Sequence, residues 1–238
     1  MADLKDLILE AHGATSWNRF QSIQGEMSII GSLWARKGWP EVLKNVRVEA
    51  DIPHQQLTYQ PFTAEGLRSF YRPDLVAIET VDGHRLRERI NPRNSFDSHT
   101  PATPWDDLHL AYFSGYAMWN YLNTPFMFAL PGFTTEEIEP WNENGEMRRR
   151  LKVTFPGSVA THSPEQVFHV GSDELIARLD YFANVTGGVP TAHYMSEYRD
   201  FHGVKIPTKR RAYRRNEDGT PMVNGLGVSI DIADIKFS

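Results

Sequence analysis

The chain has 238 residues, of which 40% are hydrophobic and 23% are charged, so it is long enough to bury a full-sized apolar core. Its formal net charge of −5 gives no electrostatic reason to expect binding to nucleic acid or to an anionic membrane surface. The absence of cysteine excludes disulfides, thiolate catalysis and cysteine-ligated metals.

The N-terminal segment predicts a short amphipathic helix. Leu4, Leu7, Ile8 and Ala11 recur at helical spacing within residues 2–12. The segment is acidic and its apolar run is short, so it lacks the basic and apolar regions of a secretory signal. No stretch approaches the roughly 18 apolar residues of a transmembrane helix. We therefore expect a cytoplasmic protein with no integral membrane segment.

Alternating apolar and polar residues predict β-strands over most of the chain, most clearly at 45–52. Asp82-Gly83 lies between two such runs and predicts a hairpin, since a tight turn needs positive φ. Comparable turn signals follow at Asn144-Gly145, Gly171-Ser172-Asp173, His202-Gly203 and Asp218-Gly219. The sequence predicts an α+β protein, with one domain over 1–238 built on a curved antiparallel sheet or half-open β-barrel of about ten or eleven strands.

One segment, at about 103–132, predicts helix among the strands. Thr103 is the predicted N-cap, Pro104 suits the first helical position, and Asp106 lies in the capping-box position. The helix is expected to break at 123–125, where a proline follows two polar residues. So much aromatic surface on one helix needs an apolar partner, so we interpret the segment as a lid or plug over a cavity.

The aromatic residues of this segment are the predicted ligand contacts, since aromatic rings supply large apolar areas. They are Trp105, Tyr112, Phe113, Tyr116, Trp119 and Phe126. The leading functional hypothesis is a protein that binds a hydrophobic small molecule or a lipid acyl chain. No cofactor is predicted, and no nucleic-acid partner.

An alternative hypothesis is an enzyme, such as an isomerase, lyase or hydrolase, that performs acid-base chemistry in the same cavity. Asp106 and Asp107 are expected to serve the helix N-terminus, but a carboxylate and His109 facing the cavity would form a proton-transfer pair. His193 and Tyr194 are further candidates, on opposite faces of one strand. We expect the Tyr194 face to line the cavity, because the His193 face also carries Glu197 and Arg199.

Two further patterns in the sequence predict no site. The nine histidines show no tight ligand spacing, so no metal site is predicted. Basic runs at 148–150, 209–211 and 214–215 fall on predicted strands, where successive side chains point to opposite faces, so we expect a solvated outer surface. Some of these arginines are expected to pair with glutamates across the Asn144-Gly145 hairpin.

Several segments together resemble the LolA/LolB-like superfamily of bacterial lipoprotein carriers. They are the YRPDLVAIETVDG hairpin at 71–83, the central helical segment, SDELIARLDYF at 172–182 and YRDFHGVKIPTKRRAY at 198–213. The resemblance implies a half-open antiparallel barrel whose concave apolar face is covered by helices and holds acyl chains or other hydrophobic ligands. The chain is also similar to uncharacterised bacterial proteins that carry the WDDLHLAYFSGYAMWNYLNTPF segment, a similarity that implies no activity.

Overall fold

A computed structural model describes residues 3–238, which form one antiparallel sheet of thirteen strands with four α-helices. The strands are β1 (Ser22–Ile30), β2 (Leu43–Asp51), β3 (Gln56–Gln60), β4 (Leu67–Arg72), β5 (Leu75–Thr80), β6 (Arg85–Ile90), β7 (Thr134–Glu143), β8 (Glu146–Thr154), β9 (Glu165–Val170), β10 (Ile176–Ala183), β11 (Val189–Phe201), β12 (Val204–Arg215) and β13 (Pro221–Phe237). The helices are α1 (Leu4–His12), α2 (Ala14–Trp17), α3 (Ser32–Arg36) and α4 (Asp107–Asn123). Short 3₁₀ turns lie at Pro92–Phe96, Phe126–Ala129 and Asn184–Thr186.

Each strand pairs with its neighbours in the chain, except that β6 and β7 do not pair with each other and that β1 also pairs with β13. This pairing joins the two halves of the chain in the middle of the sheet and leaves β6 and β7 as the two edges. The connection from β6 to β7 contains α4. The predicted α+β fold with a curved antiparallel sheet is confirmed, with thirteen strands instead of about ten or eleven.

The five predicted turns all lie between consecutive paired strands, and they account for five of the eleven such connections among residues 3–238. Asn144 and Gly145 both have positive φ, and so do His202 and Gly203, as the tight turns between β7 and β8 and between β11 and β12 require. The pairing of arginines with glutamates across the first of these hairpins is also confirmed, because Arg149 Nε donates to Glu137 Oε1 at 2.8 Å. Within residues 3–238, no helix combines the length and the apolar character needed to cross a bilayer.

The start of α4 differs from the prediction. Asp106, and not Thr103, is the N-cap, and its carboxylate accepts from the His109 backbone N–H at 2.8 Å. His109 completes the capping box by accepting from the Asp106 N–H through Nδ1. Thr103 instead belongs to a separate turn, where its hydroxyl accepts from the Thr100 N–H. The predicted break after Asn123 is confirmed.

Helix α4 is buried on every side, so it is a plug inside the sheet. Leu108 and all residues from 110 to 123 are buried, and only Asp107 and His109 at its start are partly exposed. A helix at the surface would show a polar face, whereas a helix that is apolar all round belongs in a core. The plug therefore occupies the concave side of the sheet, where its aromatic side chains join the main hydrophobic core.

Candidate functional site

The plug lies directly against β3, β4 and β5, on one wall of the half-barrel. Gly115 permits this approach, since a Cβ at that position would lie 2.4 Å from Cγ of Tyr71 on β4. Two hydrogen bonds fix the same contact: Tyr59 Oη donates to the Ser114 carbonyl at 3.1 Å, and Trp119 Nε1 donates to a carbonyl at the end of β2 at 2.6 Å. The plug and this wall of the sheet are therefore in direct contact.

A cavity of about 250 Å³ lies on the other side of the plug, toward β10 to β13. Phe113 of α4 forms one wall, and Tyr181 of β10 and Val228 of β13 lie on the sheet side. The space exists because several lining residues are small: Ala183, Ala212, Ala102 and Gly227. Leu33 and Arg36 of α3 and Pro101 of the loop before α4 border the cavity as well.

A second cavity of about 30 Å³ adjoins the first and extends deeper into the core. The two cavities share Phe113, Tyr181 and Val228, and the deeper one reaches Ala117 and Tyr121 of α4. Cavities of about 150 Å³ lined by apolar side chains are large enough to hold benzene. The combined space therefore suits a small apolar group or the end of an alkyl chain.

The deep end of the cavity borders a buried hydrogen-bonded cluster centred on His162. The two ring nitrogens of His162 pair with the hydroxyls of Tyr116 at 3.0 Å and Tyr121 at 2.8 Å. Tyr121 also contacts the Tyr181 hydroxyl at 3.2 Å, and the Tyr181 ring stacks on His162. Burial, followed by the charge of Arg93, lowers the pKa of His162 to about 3, so the imidazole is neutral near pH 7.

His193 and Arg210 lie next to this cluster on the concave face. His193 is 1% exposed, and neither ring nitrogen has a hydrogen-bond partner within residues 3–238. Arg210 is 2% exposed and donates to the Tyr121 carbonyl at 2.7 Å, with its guanidinium over the Tyr121 ring. Burial lowers the pKa of Arg210. The expectation that the 209–211 run lies on the outer surface is therefore wrong for Arg210.

A buried lysine fixes the loop that borders the cavity. Lys37, which follows α3, donates from Nζ to the carbonyls of Thr100 at 3.2 Å, Pro101 at 3.1 Å and Thr103 at 2.8 Å. Its ammonium also lies 4.9 Å from the centre of the Trp105 ring. Burial, with the nearby Arg36 charge, lowers the pKa of Lys37 to about 8. These contacts hold Pro101 and Ala102 over the cavity.

The six predicted aromatic contacts are all buried, but they occupy different parts of the plug. Phe113 lines the main cavity. Tyr116 is hydrogen-bonded to His162, and Trp119 is hydrogen-bonded to the backbone of β2. The ring of Phe126 stacks on that of Trp17, with 4.1 Å between the ring centres. Tyr112 borders a different cleft near Arg93, and Trp105 packs beside Phe113 and Lys37.

The acid-base candidates at the start of α4 form a structural cluster. The Asp106 carboxylate caps the helix and pairs with Arg89 Nη2 at 2.6 Å. Burial alone would raise the pKa of Asp106, but the hydrogen bonds from Arg89 and from the His109 backbone lower it. His109 Nε2 lies 3.2 Å from the Ser95 carbonyl. Neither residue lines the cavities described above.

The expectation that the Tyr194 face of β11 lines the cavity is wrong. His193 faces α4, whereas Tyr194 donates from its hydroxyl to Glu143 Oε1 at 2.5 Å and accepts from Arg178 at 3.1 Å. The predicted line of charges along the His193 face is interrupted, because Glu197 has a φ of 53° and its exposed side chain pairs with Lys209. The Tyr194 side chain thus belongs to a polar network, and it does not line the apolar cavity as predicted.

Sequence reasoning missed the sheet side of the cavity. On β12, Arg210, Ala212 and Arg214 alternate with Arg211 and Tyr213, and the first three share the concave face. The one feature of the sequence that indicates a cavity here is the small side chain of Ala212, which lies between Arg210 and Arg214 on the same face of the strand. Residues 3–238 contain no group of three or more His, Asp or Glu side chains placed to hold a metal ion.

The fold is similar to that of several solved structures. No protein-family model matches the chain, and neither does any curated protein sequence. A LolA superfamily protein from Nitrosomonas europaea superposes with a TM-score of 0.55 at 11% identity, over 100% of this chain and 94% of that one. A putative outer membrane lipoprotein-sorting protein domain from Vibrio parahaemolyticus gives 0.54 at 11% identity, over 98% and 92%. A DUF1329 family protein from Desulfovibrio piger gives 0.53 at 15% identity, over 99% and 92%.

Proposed function

We propose that this protein binds a hydrophobic small molecule or a lipid acyl chain in the cavity between α4 and strands β10 to β13. The observation that carries the proposal is the cavity of about 250 Å³, which lies on the concave face and is bordered by Phe113, Tyr181, Ala212 and Val228. The structural likeness to a lipoprotein-sorting domain supports the same class of ligand through the fold.

The driving force would be the removal of apolar ligand surface from water. Each buried methylene contributes about 0.8 kcal/mol, and a tenfold change in Kd corresponds to about 1.4 kcal/mol. Two additional methylenes that enter the cavity therefore tighten binding by about tenfold. The same two methylenes left in solvent change the affinity little.

Isothermal titration of the purified protein with octanol and decanol tests this proposal. We expect decanol to bind about tenfold more tightly than octanol, and Ala212→Leu to weaken decanol binding by roughly tenfold or more, because the larger side chain fills the cavity. Ala183→Leu repeats the test from β10 if the first variant is unstable. Ala35→Leu, at an exposed position of α3 outside the cavity lining, is the matched control.

Equal affinities for decanol in the wild type, both cavity variants and the control would place binding elsewhere. No binding of either alcohol to the wild type would remove the proposal. Native mass spectrometry of protein purified from its host provides an independent test, since a carrier is expected to retain a ligand of defined mass.

We propose no reaction for this cavity. Asp106 and His109 lie at the start of α4, His193 lies on the concave face, and Tyr194 contacts Glu143 and Arg178. The four acid-base candidates thus occupy three separate surroundings. We retain the single domain over 1–238 and the cytoplasmic location as parts of the proposal, tested by a single unfolding transition and by cell fractionation.

A further inference from the structure

Two arginines border the cavity where it opens to solvent. Arg36 at the end of α3 and Arg214 on β12 are exposed, and both line the main cavity. Arg36 is oriented by its neighbours: its Nη1 donates to Ser32 Oγ at 2.8 Å, and this hydroxyl donates to the Leu226 carbonyl at 2.8 Å. Arg214 lies opposite Thr191 of β11, which also lines the cavity.

Neither arginine is neutralised by a carboxylate of residues 3–238. Within residues 3–238 neither forms an ion pair, and the cavity lining contains no Asp or Glu. Burial, followed by repulsion from Arg214, lowers the pKa of Arg36, so the two positive charges influence each other. Most other arginines on the sheet have a carboxylate partner, as Arg149 has Glu137 and Arg211 has Asp231. The opening therefore combines two uncompensated cations with an apolar interior.

Resting on the function proposed above, we infer that the ligand is a single-chain amphiphile with an anionic head, a carboxylate or a phosphate, held by Arg36 and Arg214. The chain would lie beyond this opening, past Ala212 and toward Phe113 and Tyr181. Guanidinium groups form charge-assisted hydrogen bonds with both head groups, often in bidentate geometry. The apolar walls behind them exclude a head group from the interior and leave it at the opening.

Arg210 is a less suitable partner for the head, although it also has no carboxylate partner within residues 3–238. Its guanidinium is engaged by the carbonyl and the ring of Tyr121, and it does not line either cavity. A head group would have to lose its hydration and displace these contacts to reach it. A head group that binds to Arg36 and Arg214 can stay partly hydrated and displaces no such contacts.

The test compares decanol with decanoate and decyl phosphate, which share one chain length, by titration calorimetry below the solubility limit of decanol and below the critical micelle concentrations of the two anions. We expect one or both anions to bind about tenfold more tightly than decanol. The double variant R36Q/R214Q is expected to abolish the preference for the anions, so that they bind no more tightly than decanol binds to the same variant. R72Q/R199Q, which removes two exposed arginines outside the cavity lining, is the control for net charge.

The possible results separate the inference from the function on which it rests. If decanol and both anions bind equally well to the wild type, or if R36Q/R214Q does not weaken the anions, the assigned role of the arginines is wrong while apolar binding stands. If none of the three compounds binds, both proposals fail. Decanoate and decyl phosphate distinguish a fatty acid from a phosphate-bearing lipid, and inorganic phosphate alone shows whether the head binds without the chain.

Discussion

Gly115 of α4 packs directly against the ring of Tyr71 on β4, with no space for a side chain between them. This contact presses the plug onto β3 to β5 and leaves the opposite side open toward β10 to β13. Tyr71 also meets the Tyr112 ring edge-on, one turn of the helix earlier. The position of the cavity thus depends on a glycine in the middle of a buried helix.

We expect Gly115→Ala to lower the free energy of unfolding by about 2 kcal/mol. The new methyl would lie 2.4 Å from Tyr71 Cγ, and overpacking of this kind costs about 1–3 kcal/mol, more than alanine gains in helix propensity. Urea unfolding provides the measurement. Gly157→Ala is the control, since a Cβ there meets nothing within 4 Å and its effect should be small. A Gly115→Ala variant as stable as the wild type would show that the helix can shift.

Two neighbouring histidines should respond oppositely to replacement by phenylalanine. His193→Phe removes two buried nitrogens that have no partner within residues 3–238, so we expect a gain of about 1 kcal/mol in the free energy of unfolding. His162→Phe removes the partner of the Tyr116 and Tyr121 hydroxyls, so we expect a loss of about 2 kcal/mol. Chemical denaturation measures both. Destabilisation by His193→Phe would mean that its ring nitrogens are in fact satisfied.

The stability of the protein should fall as the pH is lowered below about 6.5. Burial lowers the pKa of His162 to about 3 and that of His12 to about 4, and it lowers the pKa of His193 well below its usual value. The unfolded chain takes up these protons from about pH 6.5 downward, and the folded protein does not, so protonation favours unfolding. Each such histidine contributes up to about 1.4 kcal/mol per pH unit in this window.

Comparison with His193→Phe isolates one of these groups from the carboxylates that also titrate. Between pH 6 and pH 5, the unfolding free energy should change less steeply with pH in the variant. The difference in slope should be about 1.4 kcal/mol per pH unit, which corresponds to one proton. Identical slopes in the two proteins would indicate that His193 is already protonated in the folded state or reaches solvent.

Local signals in the sequence predicted much of the fold. The turn residues Asn144-Gly145 and His202-Gly203 form the expected hairpins, because positive φ is a property of the turn itself. The end of α4 at Asn123 is also local, since a proline follows within two residues. The predicted N-cap of α4 is Thr103, and the observed N-cap is Asp106. Both residue types suit an N-cap, and Thr103 instead forms a hydrogen bond in a separate turn.

Alternation along a strand groups residues by face, but it does not determine which face is concave. His193 and Tyr194 lie on opposite faces of one strand, and the sequence predicts that the Tyr194 face is concave. The prediction is wrong because Tyr194 forms hydrogen bonds with Glu143 and Arg178 on the other face, and these residues are distant in the chain. The sequence likewise groups Arg210 with a solvated surface, although its side chain is buried.

The class of fold, several hairpins and the central aromatic helix can be predicted from the residues alone, because strand alternation and turn conformation act over a few residues. The position of α4 on the sheet cannot be predicted in this way. Its contact at Gly115 with Tyr71, and the small side chains at Ala183 and Ala212 opposite, are matters of packing between segments far apart in the chain. The position of the cavity follows from that packing.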